Sequence, residues 1–210
     1  MAIRVRMPSD YEEYWNRRFS EQAWIATADP LLVELAGPLP PGRALDVGSG
    51  PGRNSRWLSG CGWRVTALDG SGVAVAQARA AGAPAGLSLD TVHADVGRWS
   101  PPKAMYDLVV VANLHLPSSE LQVLFSRLAD GLRPGGHLFV VGHDLANLGC
   151  HGPPDPELLL TVERAVAVLP PDLVVERLER VLRTAVQVGD ALEDWAVLAW
   201  MRAPVAPDRS

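Results

Sequence analysis

The chain has 210 residues, of which 48% are hydrophobic and 20% are charged, a composition typical of a folded protein rather than a disordered one. Its net charge is −5 and no run of lysine and arginine is visible, which disfavours nucleic acid as a partner because phosphate backbones call for basic surfaces. Only two cysteines occur, Cys61 and Cys150, and no signal peptide or bilayer-spanning apolar run is visible. We therefore expect one cytoplasmic domain over residues 1–210, a monomer or homodimer that binds neither nucleic acid nor a membrane.

Helices and strands alternate along most of the chain. Two short helices are predicted near the N terminus, at 10–19 and 30–35. The next strands are predicted at 43–47, 64–69, 88–92, 107–113 and 137–143. The helices between them are predicted at about 52–60, 72–81 and 118–131. A loop rich in glycine and proline then leads to a helix from Glu157 to Val168 and to two antiparallel strands, at 173–184 and 194–202.

The parallel strands are continuous apolar runs, as expected where helices cover both faces of a sheet. We therefore predict a doubly wound α/β fold, with a mostly parallel seven-stranded sheet and an antiparallel edge strand. Residues 1–40 are expected to form a helical cap, residues 42–145 a cofactor-binding core, and residues 146–210 the last helix and the edge strands.

A glycine-rich turn joins the first strand to the next helix, in the segment 44–54, ALDVGSGPGRN. Its glycines, Gly48, Gly50 and Gly52, let the backbone turn without a Cβ and approach a ligand closely. The first turn of the helix offers free N–H groups to polar or anionic ligand atoms. The pattern is typical of the entrance to a nucleotide-type cofactor site, and a simple strand-to-helix turn is the alternative.

Two carboxylates narrow the choice of cofactor. Asp46 ends the first strand, where it would repel a pyrophosphate and attract an ammonium; capping the next helix is its structural alternative. Asp69 follows 23 residues later, the spacing of a βαβ unit, and suits the hydroxyls of a ribose. Arg53 stands where a dinucleotide fingerprint has its third glycine, which disfavours NAD-dependent oxidoreduction. S-adenosylmethionine (SAM), with an amino-acid end, a ribose and an adenine but no phosphate, fits better.

The run 44–71, ALDVGSGPGRNSRWLSGCGWRVTALDGS, resembles the first two motifs of class I SAM-dependent methyltransferases. Three later segments resemble further motifs of that family in order: HADVGRW (93–99), YDLVVVANLHLP (106–117) and LRPGGHLFVVGHD (132–144). The resemblance covers about residues 42–145, and the order and spacing of the set make it specific. More narrowly, YWNRRF and GHDLANLGCHGPPDPELL resemble a TehB-like branch of small bacterial enzymes.

The resemblance implies a SAM site and the residues that form it. The glycine loop would pass beneath the methionine and ribose, with Asp46 at the ammonium and Asp69 at the ribose. Asp95 and Val96, which follow the third strand, would contact the adenine, and Asn113 would face the methionine end. Asp69 and Asp95 have turn-forming roles as alternatives. The implied cofactor residues are Trp15, Arg18, Asp46, Gly48, Ser49, Gly50, Asp69, Gly70, Ser71, Asp95, Val96 and Asn113.

The N-terminal helix is predicted to act as a lid. Trp15 and Arg18 are three residues apart and therefore share one helix face. In similar enzymes such a segment folds over the cofactor. Arg18 would then meet the methionine carboxylate and Trp15 would cover the site; a place for Trp15 in the ordinary core is the alternative.

Three polar residues follow the fourth and fifth strands and are candidate catalytic groups. His115 is a candidate base or a structural histidine. His143 and Asp144 are a candidate His–Asp pair that would activate a hydroxyl, or else a loop anchor. A metal site that adds Asn147 or His151 is a weak alternative, because the spacing matches no zinc pattern, and we predict no metal.

The predicted reaction is methyl transfer from SAM to a small-molecule acceptor, with S-adenosylhomocysteine as the second product. The sulfonium methyl is already activated, so the protein mainly supplies alignment and desolvation. A SAM-binding protein of the same fold that does not transfer methyl is the alternative, because the cofactor motifs alone do not separate the two.

Overall fold

The structure is a computed structural model that describes residues 9–82, 86–87, 89–150, 152–187 and 190–205. Its strands are β1 (Arg43–Val47), β2 (Arg64–Asp69), β3 (Leu89–His93), β4 (Tyr106–Ala112), β5 (Leu132–His143), β6 (Val174–Gln187) and β7 (Asp190–Arg202). Its helices are α1 (Ser9–Glu21), α2 (Pro30–Ala36), α3 (Arg53–Gly60), α4 (Gly72–Gly82), α5 (Ser118–Asp130) and α6 (Val162–Val168). Within these ranges, every helix is too short or too polar to span a bilayer.

The seven strands form one sheet in the order β3-β2-β1-β4-β5-β7-β6. The strands from β1 to β5 pair in parallel, and the strand order reverses between β1 and β4. The predicted doubly wound, mostly parallel fold is therefore confirmed. The reversal opens a crevice at the carboxyl ends of β1 and β4, where ligands bind in sheets of this kind.

Helices cover both faces of the sheet, which explains the continuous apolar strands. On β4, Leu108 and Val110 pack on one face with Leu32 of α2 and with Leu58 of α3. The intervening valines of β4 belong to the core cluster on the other face, which also contains Leu124 of α5. Because side chains alternate across a strand, a strand buried on both sides must be apolar at every position.

The last two strands pair antiparallel at the edge of the sheet, as predicted, and β7 lies between β5 and the edge strand β6. The helix before them differs from the prediction. The helix predicted from Glu157 begins instead at Val162, with Thr161 as its N-cap. Residues 156–158 form a 3₁₀ turn, and Leu160 then pairs with the main chain after β5, so this stretch is too extended to be helical.

The two faces of α5 provide a test of the core. Leu124 is 1% exposed and its neighbour Val123 is 57% exposed. We expect Leu124→Ala to lower the free energy of unfolding by about 2–5 kcal/mol, because it removes apolar contacts and leaves a cavity. Val123→Ala, the matched control, should change it by less than about 0.5 kcal/mol. Denaturant titration of both variants measures the difference, and equal effects would contradict the packing described for α5.

Candidate active site

The turn after β1 is held in a conformation that glycine favours. Gly48, Gly50 and Gly52 all have positive φ, at 67°, 54° and 82°. A Cβ on Gly50 would lie 3.4 Å from the ring of Phe19, and one on Gly48 would lie 3.0 Å from Leu114. The loop therefore presents bare backbone at the crevice, and its last glycine is the N-cap of α3.

Asp69 ties this loop to the end of β2. One carboxylate oxygen accepts from the Gly50 N–H and the other from the Ser71 N–H, both at 2.8 Å. Burial raises the pKa of Asp69, and the two backbone hydrogen bonds oppose that rise. Each oxygen keeps a second lone pair, so the carboxylate can still accept from a ligand hydroxyl. The neighbouring Gly70 carbonyl lies 3.2 Å from the His93 ring.

Asp46 lies beneath the loop rather than at its rim. Its side chain is 1% exposed and accepts from the Ser55 hydroxyl at 2.6 Å, in the first turn of α3. Burial raises the pKa of Asp46 to about 6, and the Ser55 hydrogen bond and the Arg53 charge act in the opposite direction. Gly52 is the N-cap of α3, so Asp46 does not cap that helix, and a role toward the methionine ammonium remains a prediction.

The candidate adenine pair lies directly after β3. Asp95 is exposed, accepts from the Gly97 N–H at 2.8 Å and lies 3.4 Å from Arg98. Val96 is 4% exposed. The Asp95 carboxylate thus stabilises a turn, as in the structural alternative, and a contact with adenine remains a prediction.

The N-terminal helix α1 meets the glycine loop through Phe19, whose ring lies against Gly50 and within a cluster of aromatic rings. Trp15 stacks on Phe19 at 5.5 Å, and Trp24 lies 4.8 Å from Phe19. The Arg18 guanidinium lies 5.5 Å from the Trp15 ring and donates to the Tyr14 hydroxyl at 2.8 Å. Trp15 and Arg18 therefore lie close together on α1, beside the ring of Phe19, and a lid over the cofactor remains a prediction.

Three buried polar atoms of α1 and the glycine loop have no hydrogen-bond partner among the described residues: Trp15 Nε1, Arg18 Nε and Ser49 Oγ. Buried donors and acceptors are normally satisfied, so unpaired ones mark a place where a ligand is expected to bind. Together with the bare glycine turn and the Asp69 carboxylate, these atoms suit a ligand with a carboxylate, an ammonium and a ribose. The residues therefore fit SAM.

A buried cation lies on the other side of the crevice. Arg183 of β6 donates to Asp194 at 2.6 Å, to Asp29 at 2.7 Å and to the Asn113 side chain at 2.8 Å. Asn113 itself has a positive φ of 56°, an uncommon conformation for a residue other than glycine. Asp29 is the N-cap of α2, so this one guanidinium joins the N-terminal segment, the end of β4 and the C-terminal strands.

The predicted pairing of His143 with Asp144 is wrong. His143 Nδ1 lies 2.9 Å from Asp194, a residue that the sequence reasoning missed. Asp144 instead caps a 3₁₀ turn by accepting from the Ala146 N–H and pairs with Arg180 at 3.2 Å. Along a strand, consecutive side chains point to opposite faces, so a carboxylate next to His143 in sequence is badly placed to meet its ring.

His115 stacks against His143, with ring centroids 5.4 Å apart. Burial, together with the neighbouring His143, lowers the pKa of His115 to about 3, so this imidazole stays neutral at ordinary pH. The side chain of Asn147, from the alternative metal site, is engaged with Asp194 and with the backbone of Trp195. His151 lies outside the described residues, and among those that are described no group of three or more acidic, histidine or cysteine side chains could hold a metal ion.

The fold is that of a doubly wound α/β protein, and the polar residues described above lie where its strand order reverses. A family model described as a methyltransferase domain matches residues 44–136, which include β1, the glycine loop and β4. The match covers less than half of the chain and agrees with the predicted resemblance to class I SAM-dependent methyltransferases.

Individual proteins are similar to this chain at low sequence identity, and the solved structures among them share its fold. A solved structure described as "Conversion of a Disulfide Bond into a Thioacetal Group during Echinomycin Biosynthesis" is 22% identical, with a TM-score of 0.77 over 97% of this chain and 94% of that one. TehB from Haemophilus influenzae is 18% identical, with a TM-score of 0.66 over 91% of this chain and 66% of that one. Hemagglutinin 1 from Eikenella corrodens is 26% identical over 155 residues, 72% of this chain and 50% of that protein. The chain thus spans about half the length of the curated relative it matches.

The raised pKa of Asp46 predicts how stability changes with pH. An acid whose pKa is higher in the folded than in the unfolded protein favours folding least when it is ionised, so its contribution falls as pH rises from 3.8 to about 6. We expect the unfolding free energy of the wild type, minus that of Asp46→Asn, to fall by about 3 kcal/mol across this window and then level off.

Denaturant titrations of the ligand-free protein at several pH values measure this difference. Asp90→Asn, which alters an exposed carboxylate on β3, is the matched control. A difference that rises with pH for Asp46→Asn would contradict a buried carboxyl with a raised pKa.

Proposed function

We propose that the chain transfers the methyl group of SAM to a small-molecule acceptor, with S-adenosylhomocysteine as the second product. The observation that carries the proposal is the convergence of two features at one edge of the sheet. The glycine loop held by Asp69 lies on one side, and the stacked pair of His115 and His143 lies on the other. Asn113 stands between them at the end of β4, held by Arg183.

On the cofactor side, this chain's residues would bind and orient SAM. We assign the ribose to Asp69, the methionine ammonium to Asp46 and the adenine to Asp95 and Val96. The bound methionine would satisfy the unpaired atoms of Trp15, Arg18 and Ser49, and Asn113 would face the reacting methyl. SAM supplies an activated methyl group, so these residues contribute by alignment and by exclusion of water.

On the acceptor side, we place the pocket between α1, the segment 113–117 and the loop 142–156. The rings on α1 and the hairpin of β6 and β7 border this edge, which favours a small molecule over a macromolecule. The net charge of −5 argues against nucleic acid. We further propose a cytoplasmic enzyme that acts as a monomer or homodimer and not at a membrane.

The two histidines would have different roles. A general base works best when its pKa lies near the working pH, and burial has lowered the pKa of His115 far below it. We therefore assign His143 as the base for an acceptor that needs one, and His115 as the neutral ring that packs against it.

A sulfur acceptor is a second candidate. It is supported by similarity to the solved structure whose description names the conversion of a disulfide bond into a thioacetal group. Such an acceptor needs less help from a base.

The cofactor assignment is tested by Asp69→Ala. We expect it to weaken SAM binding by about 1.5–3 kcal/mol, because it removes a charged acceptor for the ribose hydroxyls and loosens the glycine loop. Isothermal titration calorimetry with SAM measures the affinity. The control is Asp90→Ala, on the exposed side of the neighbouring strand, which should bind SAM as the wild type does. Unchanged affinity in folded Asp69→Ala would remove Asp69 from the site.

The reaction is tested with SAM that carries a deuterated methyl group and the low-molecular-mass fraction of a cell extract. Mass spectrometry should detect S-adenosylhomocysteine together with a small molecule that has gained the labelled methyl. For a hydroxyl acceptor, His143→Ala should lower turnover by about 10²- to 10⁴-fold and leave SAM affinity nearly unchanged. A labelled sulfur product with normal turnover in His143→Ala would select the sulfur candidate. SAM binding without any labelled product would favour a non-methylating protein of this fold.

A further inference from the structure

The carboxylate of Asp194 contacts the ring of His143 from the neighbouring strand, and no sequence motif connects the two. We propose that Asp194 is a positioning residue that holds His143 as the general base for a hydroxyl acceptor. The inference rests on the proposed methyl transfer and deepens it, because it names the acceptor class and adds a residue to the site.

The surroundings of Asp194 keep its side chain ionised. One oxygen accepts from Arg183 Nε at 2.6 Å, and the other lies 2.7 Å from Asn147 Nδ2 and 2.9 Å from His143 Nδ1. Burial alone would raise the pKa of Asp194, but the hydrogen bond to His143 and the charge of Arg183 hold it below its usual value. A carboxylate with three donors around it is also fixed in orientation.

An ionised carboxylate at Nδ1 determines which tautomer the His143 ring adopts. A carboxylate only accepts hydrogen bonds, so Nδ1 must carry the proton and donate it to Asp194. The lone pair then lies on Nε2, on the far side of the ring, where it can accept a proton. This is the logic by which an aspartate orients the histidine of a hydrolytic triad.

The surroundings of His143 favour a role as a base over a purely structural role in a buried ion pair with Asp194. Its side chain is 17% exposed, and that of Asp194 is 2% exposed, so the pair is open only on the histidine side. The neutral ring of His115 stacks on one face of the His143 ring. The positive charge of Arg183 is already neutralised by Asp29 and Asp194, at 2.7 and 2.6 Å.

This arrangement suits an acceptor hydroxyl. An amine or thiol needs little base catalysis, whereas an unactivated hydroxyl is a poor nucleophile until its proton is removed. His143 Nε2 would take the hydroxyl proton as the acceptor oxygen forms its bond to the methyl carbon. The carbon–sulfur bond of SAM breaks at the same time, and its electron pair stays on the sulfur of S-adenosylhomocysteine. The proton leaves the imidazolium to solvent.

The tautomer can be measured in the wild-type protein without any acceptor. Long-range ¹H–¹⁵N correlation spectra distinguish the two neutral tautomers of histidine, and His143→Gln assigns the signal. We expect neutral His143 to carry its proton on Nδ1. A proton on Nε2 instead would overturn the proposal, whatever the variants do.

The availability of Nε2 is measured with diethyl pyrocarbonate, which acylates unprotonated imidazole nitrogens. Peptide mass spectrometry should find His143 modified, and Asp194→Asn should slow that modification at least about tenfold, because the tautomer is no longer fixed. Asp194→Glu, which keeps the charge, covers the case in which Asp194→Asn does not fold. It should lose less reactivity than Asp194→Asn. No modification of wild-type His143, or equal rates in Asp194→Asn, would overturn the proposal.

The hairpin provides a matched control at its opposite end. There Glu176 of β6 lies 3.5 Å from His137 of β5, a second carboxylate–histidine contact far from the crevice. Glu176→Gln should leave the tautomer and the acylation rate of His143 unchanged. Calorimetry with SAM on the same samples separates the two proposals: intact SAM binding with the wrong His143 tautomer refutes only this inference. A wild type that binds no SAM would refute the proposed function, on which the inference rests, even if the proton lies on Nδ1.

Discussion

Arg183, a buried cation on β6, donates to an aspartate before α2, to an asparagine after β4 and to an aspartate on β7. A buried charge is tolerated only when it is paired and hydrogen-bonded, and removal of one partner costs about 3–5 kcal/mol. Because Asp29, Asn113 and Asp194 come from distant parts of the chain, their shared cation holds three segments in one arrangement. The crevice between the cofactor loop and the histidines takes its shape from that arrangement.

The two sides of the crevice are organised by different forces. On the side of the glycine loop, backbone N–H groups converge on Asp69, and the ring of Phe19 lies against Gly50. On the side of the histidines, charged side chains fix the positions of the groups, since Asp194 contacts both Arg183 and His143. The first arrangement suits a ligand that is bound by shape and by ribose contacts, and the second suits proton transfer.

Most of the fold, and the local arrangement around the glycine loop, could be predicted from the sequence. Strand β1, the glycine loop and the acid that ends β2 lie within one short βαβ unit, so their placement follows from spacing and from the conformational freedom of Gly48 and Gly50. The same reasoning placed Trp15 and Arg18 on one helix face, because helical periodicity is a short-range rule. It also placed His115 and His143 at the ends of neighbouring parallel strands, where their rings stack.

Tertiary structure decided the partners of those side chains. Asp144 is next to His143 in sequence, yet the carboxylate that meets the ring is Asp194, because β7 pairs antiparallel with β5 and sets Ala196 opposite His143. Register between β6 and β7 likewise places Arg183 opposite Asp194. A sequence thus determines periodicity, turns and the glycine loop after β1, since these depend on near neighbours. It does not reveal which distant charges will meet, because strand order and register are settled by packing of the whole sheet.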